Sequence, residues 1–362
     1  MSKVSGSGPR CWPWIRPVNS PRRHWTGVVS ALLICGLMVY PCQASALRLT
    51  GSGASFPFPI YSTWFKQFSR AQRDTIVDYQ AKGSGAGVRD FINRTVDFAA
   101  SDAAMTDAEI SQVEEGVVMI PLIAGAIVLG YNLPGIETLR LPRAIYPQIF
   151  AGVVRRWDDP AIVAANPGVT LPAMPITVVR RADSSGTTWA FTRHLNSISA
   201  DWREQYGYGK TVQWHRSDKF IAAPKNDGVA ATIKQTPGAI GYMEQAYAKF
   251  SGLPMALLEN QAGSWVTANA DSGVAALADT PLPEDRRIWL DDPSGDAAWP
   301  IVTYTWILAY RNGGNAEKSE ALRQLLHYCL EEEGQNIAVR LGYIPLPAAI
   351  RRQVRAAVAE VN

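Results

Sequence analysis

Arg180-Arg181-Ala182-Asp183-Ser184-Ser185-Gly186-Thr187-Thr188 lies between two contrasting segments. Ile176-Thr177-Val178-Val179 before it is β-branched and reads as a strand. Trp189-Ala190-Phe191-Thr192-Arg193-His194-Leu195 after it reads as the start of a helix. Small hydroxyl residues and a glycine therefore fall where a helix presents its unpaired backbone N–H groups. A guanidinium and a carboxylate stand just upstream, an arrangement suited to a small tetrahedral oxyanion. Ser and Thr also favour helix starts on stability grounds alone. Taken alone, the segment reads more simply as an N-cap beside a surface ion pair.

Two more turns of the same kind shift that balance. Thr50-Gly51-Ser52-Gly53-Ala54-Ser55-Phe56-Pro57 follows the extended Arg48-Leu49-Thr50 and precedes an expected helix from Pro57 to Ala71. Its glycines allow close backbone approach, and Pro57 suits a first helical turn. Ser55 can offer a hydroxyl and Phe56 a backbone N–H. Lys82-Gly83-Ser84-Gly85-Ala86-Gly87 follows the strand-like Thr75–Tyr79, and Ser84 is its natural donor. A fourth element, Phe98–Ala104, places Asp102 at a strand end among small residues; helix capping is the plainer role for Asp102, though Thr106 is the better cap. Neither glycine turn is a nucleotide loop, because no G-x-x-x-x-G-K-[ST] occurs and the spacing does not fit G-x-G-x-x-G.

Strand-like and helix-like segments alternate through the chain. Thr75–Tyr79, a helix over Gly87–Thr95, and Val96–Ala100 give a βαβαβ rhythm and a mostly parallel sheet covered by helices. A second α/β block has candidate strands Ile176–Val179, Thr211–Trp214, Ala239–Tyr242 and Met255–Leu258, with helices Ala144–Phe150, Asp159–Ala165 and Gly228–Gln235. Met119–Tyr131 and Ile301–Tyr310 are apolar runs long enough to pass between two domains. Glu317–Glu332 and Leu346–Val361 are helical by their spacing. Two crossings without a loose linker predict two lobes, 47–130 with 301–362 and 131–300, joined by a hinge that closes on a ligand.

The chain has 362 residues, 47% of them hydrophobic, which is globular and ample for two domains. Five of the 35 basic residues fall within residues 1–46, which hold no acidic ones; beyond them, 30 basic residues face 32 acidic ones. That balance gives no electrostatic case for nucleic acid. Arg22-Arg23-His24, an apolar run from Val28 to Tyr40, Pro41 and Ala44-Ser45-Ala46 read as a cleavable secretory signal peptide over 1–46. Its core of about thirteen residues is shorter than the roughly 20 needed to span a bilayer. An exported, periplasmic protein is expected, and Cys35 and Cys42 lack a lipid-attachment context. Cys11, Cys35 and Cys42 leave with the leader, so Cys329 remains alone and no intrachain disulfide forms.

In combination these features resemble the periplasmic phosphate-binding proteins of high-affinity phosphate ABC transporters. The resemblance rests on Thr50–Pro57, Tyr79–Val88, Val96–Ala103, Val178–Thr187, Lys225–Gly228 and Pro237–Tyr242, with Ala298–Ile301 and Gln353–Ala357, in the family's order. It implies a type II two-lobed periplasmic binding-protein fold, each lobe a mixed, mostly parallel sheet flanked by helices. It further implies capture of inorganic phosphate in the cleft and delivery to an inner-membrane permease, without enzyme activity, cofactor or metal; a monomer is expected. At matching positions the phosphate ligands would be Ser55, Phe56, Ser84, Asp102, Arg181, Ser185, Gly186 and Thr187, with Asp183 orienting Arg181. Two departures stand out: Ser55 where Thr is common, and Gly85 where a second Ser is common. Ser217–Pro224 matches the family poorly.

On chemical grounds, backbone N–H groups and hydroxyls suit phosphate's acceptor oxygens, and an ionised Asp102 suits its P–OH. Sulfate would face Asp102 oxygen against oxygen. The other readings are a secreted phosphate-ester hydrolase, a binder of another oxyanion such as sulfate or molybdate, and an adhesion or sensor protein on the same fold. A hydrolase would need a base from His194, His215 or His327, yet no G-x-S-x-G elbow or metal-ligand spacing accompanies them. Trp64, Trp157 and Trp189 read as packing residues, and Glu331-Glu332-Glu333 as a solvated helix end.

Overall fold

The computed structural model describes residues 46–278 and 280–362. The expected signal peptide, with Cys11, Cys35 and Cys42, lies outside the described residues but for Ala46.

One strand organises the molecule. Val117–Tyr131 is fifteen residues long and almost wholly buried, a continuous apolar run covered on both faces. Over Val117–Ala126 it pairs antiparallel with Val302–Tyr310; from Ile127 to Tyr131 it pairs antiparallel with Ala239–Glu244. Hydrogen bonding therefore runs through eight strands: Thr75–Ala81, Leu47–Gly53, Phe98–Ser101, Val302–Tyr310, Val117–Tyr131, Ala239–Glu244, Thr177–Arg181 and Phe220–Ala223. The outer three strands on each side are mutually parallel. Val302–Tyr310 is also antiparallel to Phe98–Ser101, and the three antiparallel pairings at the centre make the sheet mixed. Pro121, which has no N–H to donate, sits beside the register shift opposite Thr305 and Trp306, where an unpaired residue is tolerated.

Each candidate turn of the sequence lies at a parallel strand's C-terminal end. Leu47–Gly53 leads to the helix Phe58–Ala71, whose apolar face buries Ile60, Tyr61, Trp64, Phe65 and Phe68. Thr75–Ala81 leads to the helix Ser84–Ile92, which starts three residues earlier than expected and so places Ser84 at its first position. Thr177–Arg181 leads to the helix Gly186–Ile198. Ligand sites of open α/β sheets lie outside such strand ends.

Several expectations need correcting. Thr211–Trp214 forms no strand; Trp214 instead stacks on Tyr242 at 5.9 Å and meets Trp202 edge-on at 5.8 Å, so its ring packs on the sheet rather than extending it. Glu317–Glu332 is not one helix, although Glu331-Glu332-Glu333 is the solvated helix end expected. Glu331 separates the helix Ala316–Leu330 from a further helix, Glu332–Leu341, and the carboxylates occupy the latter's first turn, where its dipole favours them. The helices Gln245–Ser251 and Ala270–Leu277 were not anticipated. Trp64 and Trp157 are fully buried, and the half-buried Trp189 packs against the core beside Arg193, as expected of packing residues. Cys329 is buried as a free thiol.

Candidate functional site

The three turns meet. Ser84 and Asp102 are joined twice: the Ser84 hydroxyl accepts from the Asp102 N–H at 3.1 Å and donates to Asp102 Oδ2 at 3.3 Å. Thr305 donates to Asp102 Oδ1 at 2.9 Å, and Thr303 donates to the Asp102 carbonyl at 3.1 Å. Gly186 comes in from the other half of the sheet. A Cβ there would lie 2.3 Å from Ser84 Oγ and 2.7 Å from Asp102 Cβ, so the approach requires glycine. The neighbouring Gly85 N–H donates to the Ser184 carbonyl at 3.0 Å. Asn226 Nδ2 donates to Ser55 Oγ at 3.0 Å and to Thr187 Oγ1 at 3.3 Å, tying the first turn to the third.

Donors are concentrated here. Among the described residues, the Phe56, Gly186 and Thr187 N–H groups have no protein acceptor, although all three residues are buried. Two of these are orphan N–H groups of the helix Gly186–Ile198. Ser185 is that helix's N-cap, its hydroxyl accepting from the Thr188 N–H at 3.0 Å; its own proton stays available. Arg181 directs Nε and Nη2 at Asp183, at 2.8 and 2.5 Å, and Nη1 at Thr187 at 3.2 Å. A guanidinium carries five N–H donors, so part of the fork remains for a ligand.

The electrostatics separate the two carboxylates. Burial works to raise Asp183, but the hydrogen bonds and charge of Arg181, with the Lys225 N–H, outweigh it and hold the carboxyl below its usual range. Asp102 is the reverse. Burial pushes it up to about 7, against the lowering effects of the Thr305 hydrogen bond, the Arg181 charge and the Ser84 hydrogen bond. A buried cation and a buried acid that titrates near neutrality are thus brought together among hydroxyls and backbone N–H groups.

Residues 41–333 match the model of the PBP superfamily domain. The chain is 35% identical over 318 residues to the phosphate-binding protein PstS of Xylella fastidiosa (strain Temecula1), covering 87% of this chain and 85% of that one. It is 37% identical over 311 residues to PstS of Haemophilus influenzae, covering 85% and 91%. The chain belongs to the PstS family.

Solved structures agree on the fold. The periplasmic phosphate-binding protein PfluDING, bound with phosphate, aligns with a TM-score of 0.72 at 21% identity, covering 86% of this chain and 93% of that one. The phosphate-binding protein of Stenotrophomonas maltophilia aligns with a TM-score of 0.66 at 24% identity, covering 86% and 94%. The PstS-family chain therefore has the type II periplasmic binding-protein fold.

Ser55, Phe56, Ser84, Asp102, Arg181, Ser185, Gly186 and Thr187 are all brought to one place, with Asp183 against Arg181. Sequence reasoning missed Asn226, although it lies inside the matched run Lys225–Gly228. The signal was hidden because the helix was expected to begin at Gly228, whereas it begins at Lys225. Lys225 has a φ of 57°, a left-handed conformation rarely taken by a residue with a side chain, and its N–H donates to Asp183 at 2.8 Å. His194 is buried with Nε2 against the Tyr146 hydroxyl at 2.7 Å and Nδ1 against the Asp291 carbonyl at 2.8 Å. Burial lowers it to about 4, so it is a neutral packing residue rather than a base.

Proposed function

We propose that this PstS-family protein captures inorganic phosphate in the periplasm, in the cleft between its two lobes, and hands it to the permease of a phosphate ABC importer. It is a transport receptor, not an enzyme. The observation carrying this reading is the convergence of three strand-to-helix turns on one buried carboxyl, Asp102, opposite one buried guanidinium, Arg181.

In this reading Phe56, Gly186 and Thr187 donate backbone N–H groups to the phosphate oxygens. Ser55, Ser185 and Thr187 add hydroxyls, Ser84 adds its own by turning its proton from Asp102 to the phosphate, and Arg181 adds charged donors oriented by Asp183. Charge-assisted bonds contribute roughly 1.5–3 kcal/mol each, and micromolar affinity needs only about 8 kcal/mol. Asp102 takes the hydrogen that phosphate carries and sulfate lacks. The lobes are bounded as 47–130 with 301–362 and 131–300, and Gly186 approaches Ser84 across their junction.

Calorimetric titration with phosphate at pH 8, repeated with sulfate, tests this. One phosphate should bind per chain and sulfate should neither bind nor compete. Absence of phosphate binding, or equal binding of both anions, would sink the reading.

A further inference from the structure

Strand alternation sends Arg180 and Arg181 to opposite faces of Thr177–Arg181. Arg181 enters the cleft. Arg180 opens instead on a separate cavity of about 350 Å3, walled by Trp214 and Phe220 and rimmed by Gln213, His215 and Arg216. Ligand pockets begin at about that size, roughly 300 Å3.

The chemistry of this cavity is lopsided. No carboxylate lines it. Arg180 Nε is buried and, among the described residues, has no hydrogen-bond partner; the guanidinium's one protein contact is Nη1 to the Arg181 carbonyl at 3.2 Å. Neither Arg180 nor Arg216 enters an ion pair among the described residues, whereas the adjacent Lys219 pairs with Asp218 at 3.7 Å. Nε is closed to solvent and cannot serve an occupant, but Nη2 also makes no hydrogen bond among the described residues, which leaves part of the charged fork for an anion. The aromatic walls add a planar, apolar component: Phe220 meets His215 edge-on at 5.4 Å. Of the lining residues, Ser217 and Phe220 fall in the stretch Ser217–Pro224, which matches the family poorly.

From this we infer that the cavity is a second binding site, distinct from the cleft, for a small organic anion that joins a phosphate or carboxylate group to a planar ring. Arg180 and Arg216 take the anionic group, and Trp214 and Phe220 take the ring. Trp214 also stacks on Tyr242, whose hydroxyl accepts from the Arg181 N–H at 3.2 Å and contacts Thr188 Oγ1 at 2.7 Å. An occupant would therefore rest against the same aromatic that supports the cleft.

The test is calorimetry on the whole protein in saturating inorganic phosphate, titrated in separate runs with phenyl phosphate and with benzoate. At least one of them should bind 1:1 with submillimolar affinity, and the better of the two identifies the anionic group. Arg180→Met and the surface variant Arg216→Ala should each weaken that binding at least tenfold and leave inorganic phosphate affinity within twofold of wild type. The proposal is overturned if neither compound binds, or if binding survives both substitutions. Because Arg216 is exposed, its variant stays informative should Arg180→Met fail to fold. Failure here leaves the cleft reading intact, since inorganic phosphate affinity is measured separately on phosphate-free samples of the same proteins.

Discussion

The Tyr247 hydroxyl donates to the Ser55 carbonyl at 2.5 Å. Tyr79 does the same for Ala54 at 2.8 Å, and Tyr343 for Phe56 at 2.7 Å. Three successive carbonyls of the first turn are thus each held by a tyrosine from a different part of the chain. Anchoring the carbonyls fixes the peptide planes, and with them the direction of the Phe56 N–H.

Removing one anchor tests this. Tyr247→Phe keeps the buried ring but leaves the Ser55 carbonyl with only the Phe58 N–H at 3.1 Å. The expected loss is about 1 kcal/mol of stability in urea denaturation. Phosphate affinity should fall by roughly fivefold, the same order as that energy. An unchanged affinity alongside reduced stability would confine Tyr247 to a packing role.

The raised Asp102 sets a pH dependence for anion selectivity. Above about pH 7 the carboxyl is ionised and accepts hydrogen bonds only. Below it the carboxyl holds a proton and becomes a donor, which sulfate can use. Sulfate affinity should therefore rise about tenfold per unit as pH falls towards 7, and level off below it. Asp102→Asn, a permanent donor, should bind sulfate without that slope. In the ligand-free protein the sign is fixed by the same shift. The folded-state value lies above the ordinary carboxyl range, so the stability contribution is complete below about pH 4 and lost as pH rises through 7. Thermal melts of wild type against Asp102→Asn between pH 4 and 8 read that difference. A sulfate affinity that is flat with pH in both proteins refutes the assignment.

The parts of this site that can be read from sequence are those in which chemistry and local structure coincide. Ser55, Ser84 and Ser185 each stand at a strand-to-helix junction among glycines or small residues, so they are candidates by position, and the family resemblance singles them out as ligands. Thr305, Tyr247 and Tyr343 carry no such mark. They reach Asp102, Ser55 and Phe56 from 203, 192 and 287 residues away, inside segments that read as ordinary core. Lys225 conceals the start of its helix because its left-handed backbone is not what its residue type favours. Thr211–Trp214 is a candidate strand by sequence, but Trp214 packs its ring on Tyr242 and the segment stays irregular.

Glu244 is a second buried acid near the cleft. Its Oε2 caps the helix Gln245–Ser251 through the Ala246 N–H at 2.9 Å, while Oε1 has no hydrogen-bond partner among the described residues. Burial raises it well above the usual carboxylate range, against the lowering effect of that N–H. A neutral side chain of the same shape should serve equally well. Glu244→Gln is expected to stay within about 1 kcal/mol of wild type, because the capping oxygen survives. Glu244→Ala should cost about 2 kcal/mol, from the lost cap and the unfilled space. Denaturant titrations at pH 7 compare them; a Gln variant as damaged as the Ala variant would mean that Glu244 is ionised in the folded protein.

Gly85 is one of the two departures from the family's pattern, and Ser184 lies against it. A Cβ on Gly85 would fall 2.0 Å from Ser184 Oγ and 2.6 Å from Ser184 Cβ. Ser184 thus occupies the room that a side chain at position 85 would need. A Ser side chain has only one torsion to swing its hydroxyl away, and its Cβ cannot move without its backbone, whose carbonyl holds the Gly85 N–H. Gly85→Ser alone should therefore prop the two halves apart and weaken phosphate binding by about 100-fold, on the scale of 1–3 kcal/mol for overpacking. Ser184→Gly alone removes only a partly exposed hydroxymethyl and should change affinity little. Combined, the two should restore binding to within about tenfold of wild type, a coupling on the order of 1–2 kcal/mol between residues in direct contact. Additive losses in the double variant, measured by the same phosphate titration, would show that the two positions do not share the space.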